Sequence, residues 1–207
     1  MTGLVRPYGG IAAEDRISAR RQRLLDAGLE SYGTDGYAAS GVKDVARRAG
    51  LTHRYFYESF KNSEELFLAV FDAVTDELFQ AAAQAVMTAE ASAEAQLRNA
   101  VTSFMTAMAD DPRKPRIIFS EPPAVGPAAE LHMRTVLRRF AQLVQATARL
   151  HAPAAVSDAT LQVVGLAIVG TLERVVIEWQ DDQVDLTIEE IIDECVGIFL
   201  ALVNGLA

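Results

Sequence analysis

Apolar residues recur along most of this chain with a period near 3.6, and Gly, Pro and paired Asp residues break the pattern into segments, which predicts an all-α fold. The most informative stretch lies near the N-terminus. Val42, Val45, Ala46 and Ala49 fall at i, i+3, i+4 and i+7, the stripe of a short amphipathic helix. Gly50 stands where a helix end favours a left-handed residue, Leu51 re-enters the core, and Thr52 is placed to cap the next helix. In that second helix Phe56 and Phe60 share the inner face, while Arg54, Tyr57 and Glu58 point outward, flanked by His53 and Tyr55. Two such helices around a Gly-centred turn form a helix-turn-helix pattern. An outward face of Arg, His and Tyr suits a helix lying in the DNA major groove, with Arg forking onto a guanine edge and Tyr reaching phosphates.

The pattern continues on both sides. A first helix is expected from about Ser18 to Gly33, burying Leu24, Leu25, Leu29 and Tyr32; Arg20, Arg21 and Arg23 near its start would either be solvated or meet phosphate. Residues 1 to 15, with three Gly and one Pro, predict a loose arm, most simply disordered; the sharper reading is that Arg6 or Arg16 reaches a minor groove. Asn62 and Glu65 have capping-box spacing and open a long helix running to about Glu90, roughly 40 Å in length. Further helices are expected from Ser92 to Asp110, from Pro127 to about Leu150, from Ser157 to Asp181, and from Thr187, where Glu190 offers a second capping box. The basic run Arg113, Lys114, Arg116 between them reads as a solvated turn.

Residues 20 to 70 resemble the DNA-binding head of the TetR family of transcriptional repressors. The likeness is carried by RQRLLDAGLESYGTDGY, the Val-x-Asp-Val-Ala-x-x-Ala-Gly run from Val42 to Gly50, Leu51-Thr52, Phe56-Tyr57, Phe60, and Glu64-x-Leu66. It departs from the pattern at Gly41, where a capping Thr or Ser is usual, at Arg54, where Gly is frequent, and at Ser63, where a phosphate-binding Lys is common; Lys61 is the nearest substitute. The resemblance implies a three-helix head over residues 16–62 and a helical effector-binding and dimerisation body over 63–207, about nine helices in all. It also implies a homodimer whose two heads read a pseudo-palindromic operator of double-stranded DNA. Ser40, Lys43, Thr52, His53, Arg54, Tyr55, Tyr57 and Lys61 are the expected DNA contacts.

The last two helices are apolar on more faces than one intramolecular stripe requires. Leu161, Ile168, Leu172 and Val176, with Ile192, Val196, Phe199 and Val203, are therefore expected to meet a second copy. Large flexible apolar residues in the middle of the chain, namely Phe67, Phe71, Phe104, Met105, Met108, Met133 and Phe140, with His132 as a polar member, are expected to line a site for a small apolar or amphipathic effector. Core packing is the competing explanation for the same residues.

Charge changes the picture in one respect. The net charge of −9 argues against nucleic acid, yet residues 1 to 62 hold ten Lys/Arg against seven Asp/Glu, and the acidic excess lies entirely beyond them. A single cysteine, Cys195, fits a reducing cytoplasm. The most apolar stretches, from Leu161 and from Val196 to Val203, fall short of the ~18 apolar residues of a membrane span, so no membrane partner is expected. The three histidines are scattered, no phosphate-loop, Gly-x-Ser-x-Gly or HExxH run occurs, and the paired aspartates lack companions; no enzymatic role, metal or cofactor is expected. The expectation is a ligand-responsive dimeric transcriptional regulator, most simply a repressor. The alternative is a helical small-molecule binding protein whose head no longer reads DNA.

Overall fold

The computed structural model describes residues 13–205. They form ten α-helical segments: α1 (Ala13–Glu30), α2 (Val42–Arg48), α3 (His53–Ser59), α4 (Ser63–Thr88), α5 (Ala93–Asp110), α6 (Arg113–Pro115), α7 (Pro122–Val125), α8 (Pro127–Arg149), α9 (Asp158–Gln180) and α10 (Ile188–Asn204). Single π-type turns cover Ser31–Asp35 and Arg116–Ser120, and no strand occurs among the described residues. The count exceeds the expected nine because prolines cut residues 112–127 into short turns instead of one loop.

Four helix starts, those of α4, α5, α9 and α10, are set by side chains that the sequence displays. Asn62 Oδ1 accepts the Glu65 amide at 2.8 Å, and the Glu65 carboxylate accepts the Lys61 amide at 2.7 Å. Ser92 and Ser157 cap α5 and α9 in the same way, and Thr187 with Glu190 completes a reciprocal capping box on α10. The head departs from this rule. Gly41 occupies the N-cap of α2, and Thr52 the N-cap of α3, with no side-chain bond at either. Gly50, at φ +63, provides the left-handed turn between them, where any other L residue would be strained.

Two boundaries differ from expectation. Helix α1 already includes Ala13 to Asp15, so the end of the expected arm is helical; Arg6 lies outside the described residues, and Arg16 is on the first turns of α1. At its other end α1 passes into the π-type turn and reaches Asp35 rather than Gly33.

The head core is built from Leu24, Val45, Ala46, Phe56, Phe60 and Leu66, all buried. Tyr32, Tyr37 and Phe67 form a triangle of rings with centroids 5.5 to 5.7 Å apart, joining the head to the first turns of α4. Burial pushes the Tyr32 phenol well above its ordinary range, so it stays neutral. Beyond the head, α4 runs into a body made with α5, α8, α9 and α10. Helices α8 and α9 form the most closely joined pair. Their approach depends on Gly165, where a Cβ would sit 2.4 Å from the Ala141 carbonyl oxygen.

Helix α9 corrects the estimate of its apolar length. It is long and apolar enough by composition to span a bilayer, with mean hydropathy 1.6 over its most apolar window, but only 33% of that window is buried. The helix is apolar on two faces. Leu161, Val164, Ile168 and Val176 are buried within the chain itself, and Val163 (65% exposed) and Leu166 (47%) lie on the open side. The same division applies to α10, where Ile192, Val196 and Phe199 are buried and Ile198 (57%) and Leu202 (39%) are open. The expected partner-facing residues therefore belong to the inner face. Leu161, Ile168, Val176, Ile192, Val196 and Phe199 complete the protein's own core, while Leu172 and Val203 are half-buried beside a cavity. Periodicity identified two apolar stripes on each helix but not which one the chain would cover.

Candidate DNA-binding face and effector cavity

On α3 the inner and outer residues divide as their spacing requires. Phe56 is fully buried against Phe60, and His53, Arg54, Tyr55 and Tyr57 are exposed, with Thr52, Lys43 and Lys61 exposed around them. Arg54 is open, with 86% of its side chain accessible; its Nε lies 3.3 Å from Glu58. An exposed pair of this kind contributes little to stability, so the guanidinium is available to exchange Glu58 for a base edge. The imidazole of His53 packs edge-on against Tyr57, with centroids 4.7 Å apart, which holds both rings upright on the surface.

Ser40 does not join this face. It is buried, and its hydroxyl donates to the Ser31 carbonyl at 3.2 Å, fastening the loop before α2. The arginines of α1 have fixed positions rather than forming a solvated turn. Arg20 lies over the Tyr55 ring at 4.7 Å and 3.8 Å from Glu58; Arg21 lies over Phe60 at 4.3 Å. Arg23 donates to the carbonyl oxygens of Ala49 at 2.5 Å and Gly50 at 3.1 Å, supplying positive charge to the C-terminal end of α2. Arg20 thus places beside α3 a cation that the sequence left either solvated or facing phosphate, because the neighbours that fix it come from another helix.

The basic run after α5 is a clamp between head and body, not a solvated turn. Arg113 donates to Asp111 at 2.8 Å and reaches Glu30 of α1 at 2.5 Å. Arg116 donates to the Thr34 carbonyl at 2.6 Å and to Glu121 at 2.8 Å, and the second oxygen of Glu121 accepts the Tyr37 amide at 2.8 Å. Lys114 meets Glu77 of α4 at 3.0 Å. Glu121 is 7% exposed, and its carboxylate ties a backbone amide of the head to a guanidinium of the body. Hydrogen bonding from Arg113 holds the Asp111 carboxyl below its ordinary value. The partners in the head, Glu30, Thr34 and Tyr37, could not be read from the run itself, since they lie some 80 positions away in the chain.

Within the body, α4, α5, α8, α9 and α10 enclose a cavity of about 120 Å³. Its wall is formed by Leu78, Val101, Phe104, Val136, Phe140, Ile168 and similar side chains, so the space favours hydrocarbon over water. Ile118 and Phe119, on the same turn as Arg116, belong to the wall. The cavity wall is thus two positions along the chain from Arg116 and Glu121, the clamp that holds the head.

Of the residues expected to bind an effector, Phe104 and Phe140 line the cavity. Phe67 belongs to the ring cluster beneath the head, and Phe71, Met105 and Met108 are fully packed into the core. Met133 is half-buried against that core. His132 lies edge-on to Phe71 and bonds Asp72 at 2.6 Å, one of two polar links between α4 and α8; the other is Arg139 to Asp76 at 2.5 Å. Most of the large flexible residues expected at the site fill the core here, and the cavity wall is made mainly of Leu, Val and Ala beside Phe104, Phe119 and Phe140. Composition alone carries no signal that separates the two.

Two family models match parts of this chain. Residues 24–70 match the model of bacterial regulatory proteins of the tetR family, and residues 90–203 match that of the tetracyclin repressor-like C-terminal domain. The HTH-type transcriptional activator FasR of Mycolicibacterium smegmatis is 34% identical over 119 residues, 56% of this chain and 54% of that protein, so the match spans about half of the relative. Among solved structures, the fatty acid degradation regulator FadR from Bacillus halodurans superposes with a TM-score of 0.75 at 17% identity, covering 87% of this chain and 94% of that one. FadR from Bacillus subtilis, in complex with stearoyl-CoA, gives 0.76 at 15% identity, covering 86% and 96%. At such identities the superpositions speak for the fold alone, whereas the two family models cover both head and body: the chain belongs to the TetR family of DNA-binding transcriptional regulators, and its role is regulatory rather than enzymatic.

Proposed function

We propose that two copies of this protein bind a pseudo-palindromic operator through α3 of each head, and that an acyl compound with a long aliphatic chain, such as an acyl-CoA, occupies the cavity and changes operator affinity. The observation that carries this reading is the adjacency of an apolar cavity and a polar clamp on one turn: Ile118 and Phe119 face the first, and Arg116 and Glu121 hold the head. A ligand acts on such an equilibrium only by binding one state better than the other. Filling the cavity displaces the wall formed by Ile118 and Phe119, and the head follows through the clamp and through α4. The chemistry of the wall favours an alkyl chain, and the superposable FadR of Bacillus subtilis carries stearoyl-CoA.

In this arrangement Arg54 is the base reader, and Lys43, Tyr57 and Lys61 are the phosphate contacts. The two-fold partner surface is the open face of α9 and α10, containing Val163, Leu166, Ile198 and Leu202, instead of the inner residues expected from the sequence. The geometry requires the recognition helices to lie about 34 to 36 Å apart, or at a multiple of that distance, to follow one face of the duplex. The sign of regulation follows from where the operator lies relative to a promoter; occlusion and recruitment demand the same head. The FasR relative is named an activator, so repression is not favoured over activation.

The test is a fluorescence-anisotropy titration of genomic operator fragments with and without stearoyl-CoA, at fixed salt because phosphate contacts make affinity salt-dependent. We expect sequence-specific binding that stearoyl-CoA changes at least fivefold, together with a rise in thermal midpoint when the ligand is added without DNA. Specific binding with no response to any acyl-CoA would remove the effector assignment, and equal affinity for all duplexes would remove the operator reader.

A further inference from the structure

Five polar side chains interrupt the apolar cavity wall: Thr75, Gln96, Thr147, His151 and Glu173. Four of them are already occupied. The hydroxyls of Thr75 and Thr147 donate to the carbonyls one turn back, Phe71 at 2.9 Å and Leu143 at 3.0 Å, and the His151 ring bonds the Gln96 amide oxygen at 2.8 Å. Glu173 is different. It is half-buried on α9 and has no hydrogen-bond or ion-pair partner among the described residues, while its neighbour Arg174 is committed to Glu178. No Lys or Arg lines the cavity, so the only formal charge that its wall carries at neutral pH, apart from any on His151, is negative. Burial raises the Glu173 carboxyl above its ordinary value, the response of an acid with no cation to balance it.

A carboxylate in such a wall sorts ligands by charge. It repels an anion brought into the same low-dielectric space and attracts a donor or a cation, whereas the surrounding hydrocarbon penalises anion and cation alike for their lost hydration. We propose that Glu173 is a specificity-determining residue which excludes ligands carrying an ionised acid into the cavity, so that the effector enters as a neutral acyl derivative, such as a thioester, ester or alcohol, and not as the free fatty acid. This rests on the cavity being the effector site, as argued above. It adds a requirement that alkyl-chain burial alone does not impose, because an acid and an alcohol of one length bury the same hydrocarbon.

The test uses three ligands with one chain length, decanoate, 1-decanol and decylamine, titrated calorimetrically at pH 8 into the full-length protein and its Glu173→Gln variant. For the native protein we expect decanol to bind at least tenfold more tightly than decanoate, and decylamine at least as tightly as decanol. In Glu173→Gln the decanol-to-decanoate ratio should fall severalfold, and decylamine should lose its advantage. An unchanged ratio in the variant overturns the assignment. Equal binding of acid and alcohol by the native protein does so as well, even if the variant does not fold. If none of the three ligands binds, the cavity is not an acyl site and both readings fall together.

Discussion

Removing the Glu121 carboxylate tests the link between the sensing body and the reading head most directly. In Glu121→Ala the Tyr37 amide loses its acceptor and Arg116 keeps only the Thr34 carbonyl. The amide bond is charge-assisted and nearly dry, which places its loss at about 1.5–3 kcal/mol. The Arg116 side chain is 37% exposed, so its share of the ion pair is discounted to about 0.5–1 kcal/mol. The expected destabilisation is about 3 kcal/mol, or a fall in melting temperature of roughly 6–12 °C for a chain of this size. Urea unfolding followed by circular dichroism measures the first quantity, and hydrogen exchange at the Tyr37 amide shows whether the opening is local. A cycle with Arg116→Ala isolates the pair, for which about 1 kcal/mol of coupling is expected. The same variant should bind the operator with a severalfold weaker dependence on effector, because the cavity wall then moves without carrying the head. A loss under about 0.5 kcal/mol with Tyr37 still protected would refute the reasoning.

Other expectations follow from single contacts. Arg54→Ala should cost about 1–3 kcal/mol on the specific operator and little on random DNA, whereas Lys61→Ala should weaken both alike and lower the salt slope by about one; anisotropy titrations at several salt concentrations separate the two. Leu166→Glu, placed on the open face of α9, should give monomers in sedimentation while leaving the circular dichroism spectrum unchanged. Gly165→Val forces a side chain into the Ala141 carbonyl and should destabilise the α8–α9 pair by at least 1–3 kcal/mol in denaturant titrations. The Asp111 carboxyl is depressed in the folded state, so the unfolded chain takes up its proton first as pH falls. Its contribution is complete above the ordinary value of 3.8 and disappears on acidification below it, and Asp111→Asn should flatten that part of the stability curve.

The head was legible because its information is local. The stripe from Val42 to Ala49, the turn at Gly50 and the division of α3 into Phe and Arg/Tyr faces lie within twenty residues, and helical spacing alone orients each of them. Capping residues were equally legible where a side chain does the capping, as at Asn62, Ser92, Ser157 and Thr187. Ser40 was misassigned because a small hydroxyl beside a helix start serves equally well facing DNA or bonded inward to Ser31, and only the packed loop distinguishes these.

Sequence by itself determined the helices, the outward chemistry of the recognition helix and the excess of apolar surface on α9 and α10, since each is a property of residues three or four positions apart. Tertiary structure alone decided which of two apolar stripes the chain would bury, which large side chains became core rather than cavity wall, and where Arg113, Arg116 and Glu121 would find their partners. The physical reason is that these outcomes depend on how helices distant in sequence approach one another. A periodicity records the face that seeks cover; it holds no record of what covers it.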